Sequence, residues 1–207
     1  MCNDYEQHIA WAAYCEAVQA LAFHMPAHQT ELDLPQLDDV RVSDTAPVVR
    51  AAGDDVVELV PMKWGFPQPE GRRSAPVFNF RSEGRHFTKE QRVVIPASAF
   101  FEFVGTKTPK AKVRFTLNGA PFMGIAGLWR PGSGNQPDSF TMLTTAPGAD
   151  VGRFHARQVI PLPPQQWRAW LDAEQPEAEI LRPLPAGSLS ATLVRKGKEP
   201  LPPNLFE

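Results

Sequence analysis

The chain has 207 residues, of which 43 % are hydrophobic and 21 % charged, and its net charge at pH 7 is −2. That balance excludes an intrinsically disordered chain, and no apolar run reaches the roughly 20 residues that a membrane-spanning helix needs. Cys2 and Cys15, the two cysteines, are too few for a disulfide framework. With no basic-then-apolar leader at the start, the reading is a cytoplasmic protein with reduced thiols.

In chain order, Trp11, Cys15, Val18 and Ala22, flanked by Tyr14 and Leu21, recur at helical spacing and predict a helix across 6–22, closed by Met25-Pro26. The acidic, proline-interrupted segment of about 26–54 is expected to form irregular surface or edge structure. Residues 56–60 read as a strand, followed by β-like segments at 93–96, 99–104, 113–117, 122–129 and 140–145, with Asn118-Gly119 as a hairpin turn between two of them. Pro163-Pro164 opens a short helix at 165–171 that buries Trp167, Trp170 and Leu171, and 191–195 form the last strand. There is no internal repeat and no low-complexity linker. One mixed domain over 1–207, built around antiparallel strands, is the expected organisation.

The small net charge hides a segregation. Residues 1–58 carry eleven acids against two bases, whereas residues 72–114 carry ten bases against three acids. A basic block of that kind predicts a phosphate-binding face, the alternative being solvated strand and loop charges. The five histidines and two cysteines show no ligand spacing, so neither a metal nor another cofactor is expected.

The strongest chemical feature is the opening Met1-Cys2. Initiator methionine is normally trimmed when the second side chain is small, which would leave a free amine and a free thiol on one residue. Such a 1,2-aminothiol condenses with an aldehyde to an imine and then closes a five-membered thiazolidine. Reference pKa values of about 7.7–8.0 for the amine and about 8.5 for the thiol leave part of each nucleophilic near neutrality.

Further stretches follow in one order: Trp64-Gly65-Phe66-Pro67, Asn79-Phe80-Arg81-Ser82-Glu83, the segment 92–103 ending Phe100-Phe101-Glu102-Phe103, Ala126-Gly127-Leu128-Trp129, Thr144-Thr145 and the segment 155–161 beginning His155-Ala156-Arg157. With Met1-Cys2 ahead of them, this series resembles the SOS response-associated peptidase family, also described as abasic-site processing proteins. The resemblance runs from Cys2 to about Leu171. It implies an α+β fold with a curved, largely antiparallel, barrel-like core and a few flanking helices. It also implies a monomeric protein that binds single-stranded DNA at abasic sites and joins its N-terminal cysteine to the sugar aldehyde as a thiazolidine, with an associated thiol autopeptidase activity.

The positions matching the family's active-site pattern are Cys2, Asn79, Glu102 and His155. Asn79 offers an amide to orient the Cys2 amine. Glu102, in a strand, would face away from Phe101 and Phe103, and burial in a partly apolar cleft would raise its pKa into the range of a general acid and base. His155 would protonate the sugar ring oxygen or hold a phosphate. Arg81, Arg85 and Arg157 suit phosphate contacts, and Trp64 and Phe66 suit stacking against exposed bases. The chain departs from the family's Met-Cys-Gly-Arg opening: Asn3 and Asp4 follow Cys2, and Asp4 is expected to repel a phosphate held there. Phe80 likewise stands where the family has alanine.

Overall fold

The computed structural model describes residues 2–68, 75–202 and 204–206. Its strands are β1 (Asp4–Gln7), β2 (Leu37–Arg41), β3 (Thr45–Gly53), β4 (Val56–Trp64), β5 (Asn79–Arg81), β6 (Arg92–Ala97), β7 (Ala99–Val104), β8 (Ala111–Leu117), β9 (Met123–Arg130), β10 (Ser139–Thr145), β11 (Gln158–Val159), β12 (Pro161–Leu162) and β13 (Leu189–Arg195). The helices are few and mostly short: α1 (Trp11–Ala20), α2 (Ala149–Gly152), α3 (Trp167–Leu171) and α4 (Glu177–Ile180). No described helix is long and apolar enough to cross a membrane.

One sheet runs β13-β8-β7-β1-β2, and the other runs β11-β10-β4-β3-β6-β9-β12. In the second, β9 also pairs with β10, so β10, β4, β3, β6 and β9 close into a ring, and β5 attaches to β10 from outside it. Closure removes sheet edges that would otherwise expose unpaired backbone. Ladders are antiparallel except where β10 meets β4 and β5. This is the mixed, mainly antiparallel α+β architecture expected.

The residue pattern explains the two sheets. Every position of β6 and β10 is buried, as in strands covered on both faces, whereas β8 alternates buried Ala111, Val113, Phe115 and Leu117 with half-buried Lys112, Arg114 and Thr116. One core joins both sheets through Tyr5, Trp64, Phe100, Phe115, Phe140 and Phe154, and a second packs Tyr14, Val18, Trp167 and Trp170 against the ring. Ser98 alone separates β6 from β7 and hands the chain from the ring to the open sheet. Its hydroxyl accepts from the His8 amide at 3.0 Å and donates to Glu6 at 2.7 Å, fixing the bend against the N-terminal segment.

Three expectations need correction. The helix begins at Trp11 rather than residue 6, because 4–7 is a strand held by β7 on one side and β2 on the other. The acidic 26–54 segment contains β2 and the nine-residue β3, whose Ala46, Val48 and Val49 are buried between β4 and β6; the apolar piece is short but doubly covered. Asn118-Gly119 does not close a hairpin, since β8 and β9 belong to different sheets. Gly119, at φ +78°, turns the chain between them while Asn118 Nδ2 donates to the Gly187 carbonyl at 2.9 Å.

Candidate active site

The site is assembled from four separate stretches of chain. β1 pairs antiparallel with β7 in the register Tyr5↔Phe100 and Glu6↔Ala99. That pairing brings the chain end alongside β7, where the Cys2 backbone hydrogen-bonds the Glu102 carboxyl and the charge of Glu102 acts on the Cys2 thiol. On the other side, Asn79 at the start of β5 donates from Nδ2 to the Cys2 carbonyl at 2.7 Å. His155 lies three residues after α2, where its amide bonds the Val151 carbonyl at 3.0 Å, and its Nδ1 is 4.0 Å from Glu102 Oε2. The structure therefore gathers Cys2, Asn79, Glu102 and His155 into one place.

Burial sets their chemistry. Glu102 is fully buried, and desolvation pushes its carboxyl up to about 7, although the neighbouring Cys2 backbone pulls the other way. The Cys2 side chain is 1 % exposed and its thiol is pushed up to about 12, first by burial and then by the charge of Glu102. The thiol is thus held protonated, its Sγ donating to the Asp4 carbonyl at 3.2 Å. That corrects the expectation of a partly ionised thiol near neutrality, which assumed a solvated chain end. His155 is lowered, chiefly by burial and in part by the charge of Lys110, so the ring is neutral at pH 7. Its Nδ1 lies 2.8 Å from the Arg157 carbonyl and 3.1 Å from the Arg157 amide, and the shorter contact favours Nδ1 as the protonated nitrogen, leaving Nε2 basic. Protonation of a sugar oxygen by an imidazolium is accordingly disfavoured.

Asn79 touches Cys2 through the carbonyl rather than the nitrogen. Its Oδ1 is buried and has no hydrogen-bond partner among the described residues, an acceptor that suits an N–H donor arriving at the site.

The residues expected to meet DNA separate into three groups. Arg81 and Arg85 are exposed, and among the described residues neither pairs with a carboxylate; Arg85 lies with Cζ 4.5 Å from the Phe80 ring centroid. Arg157 is committed elsewhere: it forms a two-pronged pair with Glu83, with Nη2 2.9 Å from Oε2, and donates to the Thr144 carbonyl and hydroxyl at 2.9 and 3.0 Å. This pairing holds the Glu83 carboxyl down at about 2. Trp64 and Phe66 are core residues, 0 % and 3 % exposed. The Trp64 indole donates to the Phe78 carbonyl at 2.9 Å and stacks parallel to Phe140, while Gly65 takes φ +111° and a Cβ there would sit 2.9 Å from Pro76, so both backbone and space call for glycine. The Trp-Gly-Phe-Pro stretch is a packed corner, and base stacking on Trp64 is ruled out by its burial.

The basic block of 72–114 is also divided. Arg92 is buried on Glu177, Arg114 pairs with Glu6, Lys89 with Asp172, and Lys112 with both Asp4 and Asp39 at 2.6 and 2.5 Å; Arg72 and Arg73 lie outside the described residues. The last pairing bears on the phosphate repulsion expected of Asp4, whose carboxylate is engaged by Lys112. Asp4 is 4 % exposed, and Lys112 also rests 3.7 Å over the Phe101 ring, so this trio clamps the chain two residues beyond Cys2. Sequence reasoning missed Lys112 and Asp39 as supports. The available hint was the alternation of β8, which directs Lys112 away from the core face.

A family model described as SOS response associated peptidase matches residues 1–197. No curated protein matches the chain. Among solved structures, a protein from Bordetella bronchiseptica is 25 % identical, with a TM-score of 0.68, covering 94 % of this chain and 100 % of its own. A phage-related protein from the same organism shares the fold at 22 % identity and TM-score 0.69, covering 94 % and 95 %. A protein from Bacteroides thetaiotaomicron does so at 18 % and 0.68, covering 94 % and 92 %.

Proposed function

The chain belongs to the SOS response associated peptidase family, and from that premise we propose that it captures abasic sites in single-stranded DNA by condensing the Cys2 amine and thiol with the sugar aldehyde. The observation that carries the reading is the convergence on Cys2 of an anchoring Asn79 amide, at 2.7 Å, and a buried Glu102 poised near pH 7.

Cleavage of the peptide bond ahead of Cys2 liberates the amine. At the abasic sugar, neutral His155 accepts the anomeric hydroxyl proton as the ring C–O bond opens and returns it to the ring oxygen, releasing the aldehyde without net proton change. The Cys2 amine adds to the aldehyde carbon to form a carbinolamine. Protonated Glu102 donates to the departing hydroxyl, water leaves and an iminium remains. The Cys2 sulfur then adds to the iminium carbon while its proton passes to the Glu102 carboxylate. One water is lost overall, and Glu102 ends protonated as it began. A thiol that is hard to ionise suits this order, because the amine attacks first and the sulfur is needed only for ring closure. Arg81 and Arg85, unpaired among the described residues, serve the flanking phosphates.

The test is incubation of the mature protein with single-stranded DNA bearing one abasic site, followed by denaturing electrophoresis. A denaturant-resistant adduct that Cys2→Ala fails to form supports the reading; no adduct from a protein shown by intact mass to begin at Cys2 refutes it.

A further inference from the structure

A second feature of β5 is left over once the site is assembled. Asn79 reaches Cys2, and the next residue, Phe80, points to the opposite face, where it lines a cleft of roughly 330 Å³ with Phe66, Arg85, Phe87, Trp129 and Arg130. Among the described residues, no acidic side chain lines this cleft. Arg85 lies over Phe80 at 4.5 Å and Arg130 over Phe66 at 4.3 Å, each measured from Cζ to the ring centroid. Both guanidiniums belong to exposed residues, and neither pairs with a carboxylate among the described residues. The Trp129 indole is fixed by donating to the Glu90 carbonyl at 2.7 Å.

Two planar cations, each backed by an aromatic ring and without a counter-charge among the described residues, form a platform for a flat, electron-rich ring that carries a negative charge nearby. A nucleotide has both parts. Resting on the single-strand reading above, we propose that this cleft holds a base of the same strand a short distance from the abasic residue, stacked on the guanidiniums of Arg85 and Arg130 with its phosphate between them. Among the described residues β5 pairs with β10 alone and exposes Arg81 at its end, and in this proposal the strand rounds that edge from the Cys2 face to the cleft.

The experiment uses the Cys2→Ala protein, which cannot form the adduct, and an undamaged single strand of about ten nucleotides, with binding read by fluorescence anisotropy. Arg85→Ala/Arg130→Ala is expected to weaken binding by about tenfold or more. Arg130→Lys, which keeps the charge and loses the plane, should recover less than half of the Arg130→Ala loss on a logarithmic scale. Strands carrying 5-iodouracil should photocross-link to peptides containing Phe80 or Trp129. Unchanged affinity in the double variant, photoadducts confined to other peptides, or binding of free dAMP as tight as that of the strand would each overturn the proposal. Adduct formation at Cys2 is measured separately on the wild type, so a cleft that fails while the adduct forms, or the converse, tells the two readings apart.

Discussion

Glu102 carries the heaviest chemical demand in the account, and its burial has an energetic consequence. Its folded pKa of about 7 lies above the ordinary 4.5. The folded state therefore holds its proton more tightly, and the associated stability is fully present below about 4.5 and lost as pH rises through about 7. Glu102→Gln removes that loss and should raise stability at pH 8 by up to about 3 kcal/mol, read as a higher melting temperature. The same change should slow adduct formation by about 10²- to 10⁴-fold. The pH profile should change shape as well. Productive wild-type protein shares one proton between the amine and Glu102, which gives a bell-shaped profile, whereas the glutamine variant should show only a rise with pH to a plateau. Asn79 acts differently, because its amide holds the Cys2 carbonyl and alters no ionisation. Asn79→Ala should slow the adduct by about 10²-fold through misplacement alone, with the positions of both limbs unmoved.

At the scale of elements, the N-terminal strand is what brings Cys2 to its partners, and Lys112 is its fastening. Lys112→Met leaves Asp4 buried without its cation and should destabilise the protein by about 3–5 kcal/mol, read from the denaturation midpoint; Asp4→Leu together with Lys112→Met should restore most of that loss. If the double variant is stable yet slow to cross-link, with fast hydrogen exchange over residues 4–7, the clamp acts by positioning Cys2.

This element also marks where sequence reading stopped. Cys2 stood out by its place after Met1, whereas Asn79, Glu102 and His155 were marked only by the ordered motifs that resemble the family, and the fold brings the four together. β1 was not legible, since a strand of four residues with two acids has no clear period of its own and its end was absorbed into the helix predicted across 6–22, and only its neighbours β2 and β7 reveal it. The tie of Arg157 to Glu83 spans 74 positions, and that of Lys112 to Asp39 spans 73. Charges that look free along the chain are paired by the fold, and no local pattern announces the pairing. Trp64 was misjudged for a related reason: an aromatic beside glycine suits stacking or packing equally until its exposure is known.

The whole molecule is slightly acidic, and four of the eight described bases of its basic block, Lys89, Arg92, Lys112 and Arg114, are paired internally. Recognition of DNA must then rest on a few phosphates together with stacking and the covalent step. Binding of the Cys2→Ala protein to single strands should depend weakly on salt, with a log–log slope of about −1.4 to −2, the value for two or three neutralised phosphates. A slope steeper than about −4 would show a wider basic contact surface than two or three phosphates need.

The most direct test of the central claim is the intact mass of the product formed between the mature protein and an abasic single-stranded oligonucleotide, followed by mapping of the modified peptide. The account predicts the sum of the two masses less one water, with the modification on the peptide beginning at Cys2 and both its nitrogen and sulfur blocked to alkylation. An adduct located on a lysine, or a Cys2 thiol that still alkylates in the adduct, would contradict it.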